Sequence, residues 1–238
     1  NKGIHYSEYL DENKYHSPTP DRKTKLSAVI GNFTKVHFDS KDTPTIFYRK
    51  NHNHIPPWIL FKNITFNNAI DLYSFLKREE KLEIISEYFL INNQNITDDE
   101  RLELFKNMLI ITRKFRNKIA HNAKVITYRV DRRYELQQIK LMKINPYSLM
   151  KWKDTKNKIT GRNDLFAMIL SLIIVLDNPV LVGNMLNEIS VFLESNANVS
   201  DSYIKITNLP PDIINRIQNI DIKKYWVKHL EKWNDENN

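Results

Sequence analysis

The chain has 238 residues, no cysteine, only four glycines and a formal net charge of +8. The glycines, Gly3, Gly31, Gly161 and Gly183, lie far apart, which excludes the clustered glycines of a Rossmann fingerprint or a P-loop. The absence of cysteine excludes a disulfide framework, a thiolate zinc site and a cysteine nucleophile, and it is typical of a reducing compartment.

The length and a hydrophobic content of 41% predict one domain over residues 1–238. Few glycines and many apolar residues at helical spacing predict a mainly all-α fold. The first residues are polar and lack the apolar stretch of a signal peptide. The most apolar stretch, residues 165–175, is too short to span a bilayer. We therefore expect a cytoplasmic protein with no membrane partner.

The sequence predicts three helices in the first half of the chain. A first helix over residues 21–37 follows a proline-containing breaker, and residues 38–57 predict a loop or a short extended piece. Thr65 is the expected N-cap of a helix that continues to residue 77, and another helix covers residues 79–90. We expect Trp58, Phe61 and Phe66 to lie in the core.

The clearest helix start in the chain is at Thr97, which Glu100 follows three residues later as in a capping box. This signal predicts a long helix over about residues 98–122. The alternation in residues 125–130 predicts a short strand or β-hairpin arm within a basic insert or loop over about residues 125–162, whose last part, residues 151–162, is expected to be an exposed loop. Further helices are expected at these positions: 163–176, 180–195, 211–217 and 221–233.

The positive charge is concentrated in one segment. Residues 101–162 contain 17 Lys and Arg against 4 Asp and Glu, a balance of +13. The rest of the chain, with 19 basic and 24 acidic residues, has a balance of −5. A concentrated basic surface is typical of a protein that binds a phosphate backbone, so the charge favours a nucleic-acid partner over a merely lysine-rich composition.

The long predicted helix has two faces at about 100° per residue. One face is apolar and is expected to be buried. It contains these residues: Met108, Ile111, Thr112, Phe115, Ile119 and Ala123. The opposite face has a polar stripe of Arg113, Asn117, His121 and Lys124, which Arg116 flanks. Asn117 and His121 are one turn apart, so their side chains can meet.

The run from Arg116 through Asn117 to His121 resembles the R-x(4–6)-H signature of the HEPN superfamily, in its R-N-x-x-A-H form. Residues 55–66 are similar to the P-x-W-x-x-x-x-x-x-T-F segment of Abi-like proteins of bacterial phage defence. The chain departs from that family after the motif, where Asn122 and Lys124 replace a frequent His and Arg.

The resemblance implies a HEPN-like helical bundle with extra helices and a metal-independent endoribonuclease without a cofactor. It implies a general base or acid at His121, a phosphate-binding Arg116 and an orienting Asn117. Because one motif supplies one histidine, it also implies a homodimer with a composite active site. RNA is the expected substrate, and the expected RNA-binding residues are Arg113, Lys118, Lys124, Arg129, Arg132 and Arg133.

Several alternatives remain beside this interpretation. The protein could be a non-catalytic RNA-binding module, for example in a complex with a cognate non-coding RNA, and an antitoxin protein is another expected partner. His121 could simply cap a helix end. Tyr128 and Tyr134, interleaved with arginines, could stack RNA bases or lie in a surface hairpin. Residues 51–54 contain two histidines, but no carboxylate stands at ligand spacing, so we expect a loop there and no metal site.

Overall fold

A computed structural model describes residues 6–52, 54–88, 96–144, 147–156, 160–176 and 178–220. These residues form helices, turns and loops with no strand, which confirms the all-α fold class. The chain forms two compact units, residues 1–83 and 84–238. The prediction of one HEPN-like domain over residues 1–238 stays a prediction. No helix in the described ranges is long and apolar enough to cross a membrane.

The first unit is built from short helices around α2. In chain order, its helices are α1 (Tyr6–Tyr9), α2 (Pro20–Asp39), α3 (Thr43–Asn51), α4 (Pro57–Lys62), α5 (Phe66–Phe75) and the start of α6 (Arg78–Tyr88), which continues into the second unit. Helix α2 begins where Thr19 accepts a hydrogen bond from the backbone N–H of Arg22. Its apolar face packs into a core with Leu60 and Phe75, and Phe33 at its centre is fully buried.

Two predictions for the first unit are wrong. The sequence predicts a loop or a short extended piece over residues 38–57, yet these residues contain α3, whose Arg49 donates to the carbonyl of His37 at the end of α2 (2.9 Å). Such a tertiary contact leaves no periodic signal in the sequence. Trp58 was expected in the core, but its side chain is 70% exposed, and Phe61 is also exposed. Trp58 at the start of α4 therefore lies on the surface, whereas Phe61 near its end is partly exposed and contacts the ring of buried Phe33 (5.3 Å).

The second unit contains the longest helix among the described residues. Its helices are α7 (Asp98–Ala120), α8 (Gln138–Ile144), α9 (Trp152–Lys156), α10 (Leu165–Leu176), α11 (Pro179–Ser195), α12 (Ala197–Thr207) and α13 (Ile213–Gln218). Helix α10 packs along α7 and is apolar on nearly every side, so it forms the centre of the core. Helix α12 occupies residues for which the sequence predicts no helix, and the predicted helix over 221–233 lies outside the described residues.

The segment between α7 and α10 differs from its prediction. Residues 125–130 form no strand; the backbone N–H of Tyr128 donates to Val125 in a reverse turn (3.1 Å). The N–H of Val130 donates to the carbonyl of Asn163 (2.8 Å), so this stretch pairs with one distant residue and not with a neighbouring strand. The basic insert is also not one exposed loop, because it includes α8, α9 and buried Leu149.

A buried ionic cluster holds α13 against α9. The guanidinium of Arg216, which is 4% exposed, donates to both carboxylate oxygens of Asp154 (2.5 and 2.8 Å). The same side chain donates to Asp212 (2.8 Å) and to the carbonyl of Leu149 (2.5 Å). Because every charge of the cluster has a partner, the basic segment is fixed to the end of the described chain.

Candidate active site

Helix α7 carries the Arg-Asn-His motif and is fixed at its start by a capping box. Thr97 accepts a hydrogen bond from the N–H of Glu100 (3.3 Å), and the Glu100 carboxylate accepts one from the N–H of Thr97 (2.9 Å). The hydrogen bond from the Thr97 backbone lowers the pKa of Glu100. Leu104, Met108 and Ile111 are buried along the middle of the helix. The predicted start and apolar face of this helix are therefore confirmed over most of its length.

The other end of α7 is closed by a Schellman motif. The N–H of Asn122 donates to the carbonyl of Ile119 (2.9 Å), and the N–H of Ala123 donates to Lys118 (2.9 Å). Asn122 adopts the left-handed conformation, with φ of 50°, that this motif requires and that asparagine tolerates. His121 is the C-cap residue, one position before Asn122. The position of the histidine backbone is thus set by the residue that follows it.

The structure brings Arg116 and Asn117 into contact. A guanidinium nitrogen of Arg116 donates to the side-chain oxygen of Asn117 (3.2 Å). Asn117 lies one turn before His121 on the same face, and the His121 backbone N–H donates to its carbonyl (3.1 Å). Arg116 is thereby turned toward the polar stripe. Arg116 and His121 are exposed and Asn117 is half-buried, so all three can meet a ligand from solvent.

The apolar face of α7 ends before the predicted position. Phe115 is fully buried, whereas Ile119 is 58% exposed, which corrects its expected burial. Residues 118–122 are all exposed, so the last turn extends beyond the helices that cover α7. The motif therefore stands at a projecting helix end, with an exposed isoleucine two residues before the histidine.

Three of the predicted RNA-binding residues belong to this end of the helix. Lys124 is exposed, and Arg113 is half-buried. The Lys118 ammonium lies 5.0 Å from the centre of the Tyr128 ring, whose other neighbour is the ring of Phe115 at 5.1 Å. Burial raises the pKa of Tyr128. The tyrosine therefore packs against the helix, with the Lys118 cation over its ring.

The three predicted arginines beyond Tyr128 have different surroundings. Arg129 donates to two backbone carbonyls, those of Tyr128 (2.8 Å) and Ile206 (3.2 Å). Arg133 forms an ion pair with Asp131 (3.1 Å) and lies over the ring of Tyr134, at 5.6 Å from its centre. Arg132, between them, is exposed and forms no ion pair with another described residue. Of the three, Arg132 is the arginine best placed to meet an added anion.

A charged side chain of α7 also acts on the segment that contains Arg129, Arg132 and Arg133. Hydrogen bonds from Arg133 lower the pKa of Asp131 most, and the charge of Lys114 on α7 lowers it further. Arg162 also joins the group, since the carbonyl of Arg162 accepts from the N–H of Leu136 (2.7 Å). The sequence reasoning missed Arg162, because only the folded backbone brings it next to residues that lie about thirty positions earlier. No local pattern signals this contact.

Among the residues described, no group of three or more His, Asp or Glu side chains is arranged to hold a metal ion. His52 and His54 have ring centres 6.1 Å apart and contact the rings of Phe47 and Tyr48 in the first unit.

Comparisons with known proteins gave one result. A family profile described as Abi-like protein matches residues 2–127, which is just over half of the chain and includes the whole Arg-Asn-His motif. Neither the curated proteins nor the solved structures contain a match to the chain.

Proposed function

Because the chain belongs to the Abi-like protein family, we propose that it is a HEPN-type, metal-independent RNA endonuclease that acts in abortive infection, in the manner of a toxin. The observation that carries this proposal is the contact between Arg116 and Asn117, one turn before His121 at an exposed helix end. A cation, an amide and an imidazole on one accessible surface are the groups that cleavage of a phosphodiester by its own 2′-hydroxyl requires.

In the proposed reaction, the ribose 2′-oxygen attacks the adjacent phosphorus and the bond from phosphorus to the 5′-oxygen breaks. The 2′-hydroxyl loses its proton to a base, and the leaving 5′-oxygen gains a proton from an acid. The products are a 2′,3′-cyclic phosphate and a 5′-hydroxyl. His121 serves as the base or the acid, a role typically worth about 10²- to 10⁴-fold in rate.

Arg116 binds the scissile phosphate and stabilises the charge that develops on it. A guanidinium is suited to this role because it remains protonated and presents several N–H donors in one plane. The hydrogen bond to Asn117 restrains Arg116 on the His121 side of the helix, so less conformational freedom is lost when the phosphate binds. The amide group of Asn117 keeps donors for a phosphate oxygen or for the imidazole.

Each chain contributes one histidine to this motif, whereas the reaction uses a base and an acid. We therefore propose a homodimer in which two motif ends face one another and share a cleft. The exposed Ile119 beside His121 supports this arrangement, because a partner helix would cover it. Sedimentation velocity would test the stoichiometry, and a chain that remains monomeric at micromolar concentration would contradict the composite site.

The cleavage test uses purified protein, labelled single-stranded RNA and EDTA. We expect cleavage that leaves 2′,3′-cyclic phosphate ends, and we expect His121→Ala to abolish it while RNA binding persists. His16→Ala is the matched control, because His16 is an exposed histidine of the first unit outside the motif. An RNA with a 2′-deoxy residue at the cleavage position should bind and resist cleavage, since the attacking group is missing.

The same experiment separates this proposal from the non-catalytic alternative. Cleavage that requires magnesium would contradict the metal-independent mechanism. RNA binding without cleavage under any condition would favour an RNA-binding module, with or without a cognate non-coding RNA. Copurification with a second protein that suppresses cleavage would identify an antitoxin of the protein type.

A further inference from the structure

An open cavity lies beside α7, in the region that follows the motif. Its volume is about 580 Å³, and its polar and charged lining consists of Arg129, Asp131, Arg132, Glu135, Arg162 and Asn163. Tyr128, which packs against Lys118 of α7, is directly followed by the first of these residues. The cavity is therefore a second place on the basic segment where a polar ligand can enter.

The walls of the cavity are held by backbone hydrogen bonds. Val130 and Asn163 are joined twice: the Val130 N–H donates to the Asn163 carbonyl (2.8 Å), and the Asn163 side chain donates to the Val130 carbonyl (2.7 Å). The N–H of Leu136 donates to the carbonyl of Arg162 (2.7 Å). Val130 and Leu136 are buried, so the polar lining rests on the core and is fixed before any ligand binds.

Of the three arginines that line the cavity, only Arg132 has a guanidinium without an ion pair or a hydrogen bond to another described residue. Arg162 pairs with Glu135, and Arg133 beside the cavity pairs with Asp131. The charge of Arg129 acts on the buried carboxyl of Asp164, one residue beyond the cavity wall. The lining itself has three arginines, Arg129, Arg132 and Arg162, and two carboxylates, Asp131 and Glu135. The cavity therefore carries about one excess positive charge.

We propose that this cavity binds one internal phosphodiester of a single-stranded RNA, at least one nucleotide away from the scissile bond. Arg132 is the residue that binds it. A phosphodiester carries one negative charge, which matches the excess of one positive charge. A terminal phosphate monoester carries nearly two negative charges. One of them would have no matching positive charge in the cavity and would be repelled by the neighbouring carboxylates. The ligand class rests on the proposed RNA function, whereas the anion site rests on the cavity and its charges alone.

The test measures RNA affinity as a function of salt concentration in the His121→Ala background, so that no cleavage disturbs the binding. Each phosphate contact to a single strand contributes about 0.7 to the slope of log affinity against log salt. We expect Arg132→Gln to reduce the slope by about this amount and to weaken binding on the order of 3- to 10-fold at low salt. Arg132→Lys should keep most of the slope, because the charge remains.

Lys25→Gln is the matched control for the loss of one charge, since Lys25 is exposed on α2 of the first unit and belongs to neither the motif nor the cavity lining. Its slope should equal that of the parent protein. An equal loss of slope in Lys25→Gln and Arg132→Gln would overturn the subsite in favour of a diffuse basic surface. Binding of inorganic phosphate that depends on Arg132, together with an RNA affinity that Arg132→Gln leaves unchanged, would also overturn the proposal, because it would reassign the cavity to a free anion.

Cleavage rates distinguish this proposal from the nuclease proposal. In the active background, Arg132→Gln should raise KM and leave kcat unchanged, since the residue lies away from the reacting phosphate. If the wild-type protein binds RNA and never cleaves it, the nuclease proposal fails while the salt slopes still decide the subsite. If Arg132→Gln leaves both the slope and KM unchanged in an active enzyme, the subsite fails and the nuclease proposal stands.

Discussion

The position of His121 depends on the residue that follows it, and a single substitution tests this dependence. Asn122 adopts φ of 50° while its N–H and that of Ala123 close the end of α7. A β-branched residue in this conformation brings its side chain against the following carbonyl, at a cost of about 1–2 kcal/mol. We therefore expect Asn122→Val to lower the free energy of unfolding by up to this amount.

The backbone strain in Asn122→Val also affects the candidate active site at the end of α7. If the last turn of α7 opens to relieve the strained residue, the closed helix end loses about 5- to 30-fold in population relative to the open one. His121 then leaves its place beside Asn117, so we expect the rate of RNA cleavage to fall by up to this factor. Asn122→Gly is the matched control, because glycine adopts the left-handed conformation without this cost and keeps the backbone hydrogen bonds.

Two measurements check the prediction: cleavage in EDTA under single-turnover conditions and urea unfolding of the same preparations. Far-ultraviolet circular dichroism should show the loss of no more than about one turn of helix in Asn122→Val. A valine variant with wild-type cleavage and stability would refute the role given to the helix end. A glycine variant as impaired as the valine variant would show that the asparagine side chain, and not its backbone, is what matters.

Two further predictions concern buried charges in the second unit. Burial raises the pKa of Asp164 to about 6, so its contribution to stability is full below about pH 4 and is lost as the pH rises through 6, by about 3 kcal/mol. Urea unfolding of wild type and Asp164→Asn between pH 4 and 8 should diverge in this range, and parallel curves would contradict the assignment. Arg216→Met leaves the Asp154 carboxylate buried without its partner and should cost about 3–5 kcal/mol in the same assay. The double variant with Asp154→Leu should recover part of the loss, and a double variant less stable than Arg216→Met would refute this reasoning.

The parts of the fold that the sequence predicts well are those set by local chemistry. The capping box of Thr97 and Glu100, the N-cap of Thr65 and the apolar face of α2 each involve residues within a few turns of one another. Helix α3 could not be predicted in this way, because Arg49 binds the end of α2. The reverse turn at Tyr128 likewise replaces the expected strand because the Val130 backbone pairs with a residue thirty-three positions later.

In the candidate site, too, the sequence predicts the features set by local geometry and not those set by tertiary contacts. The sequence places Arg116, Asn117 and His121 within two turns of one helix, and their relation follows from helical geometry alone. A helical wheel assumes that the covering neighbours extend along the whole helix, so it wrongly buries Ile119 at the projecting end. It also cannot tell Arg132 from Arg133, because the ion pair that occupies Arg133 depends on where the side chain of Asp131 points.

The family match and the cavity lined by Arg129, Arg132 and Arg162 support different parts of the proposed function. The match covers residues 2–127 and so includes the motif, but it ends before Arg129, Arg132 and Arg162. Membership in the family therefore bears on the proposed cleavage. It gives no information about how the rest of the RNA strand is bound. Because a single phosphate contact weakens with salt while the chemical step does not, activity measured at low and high salt separates the two. A rate at saturating RNA that is the same in wild type and Arg132→Gln, with a KM that depends less on salt in the variant, would assign strand binding to the cavity beyond the motif.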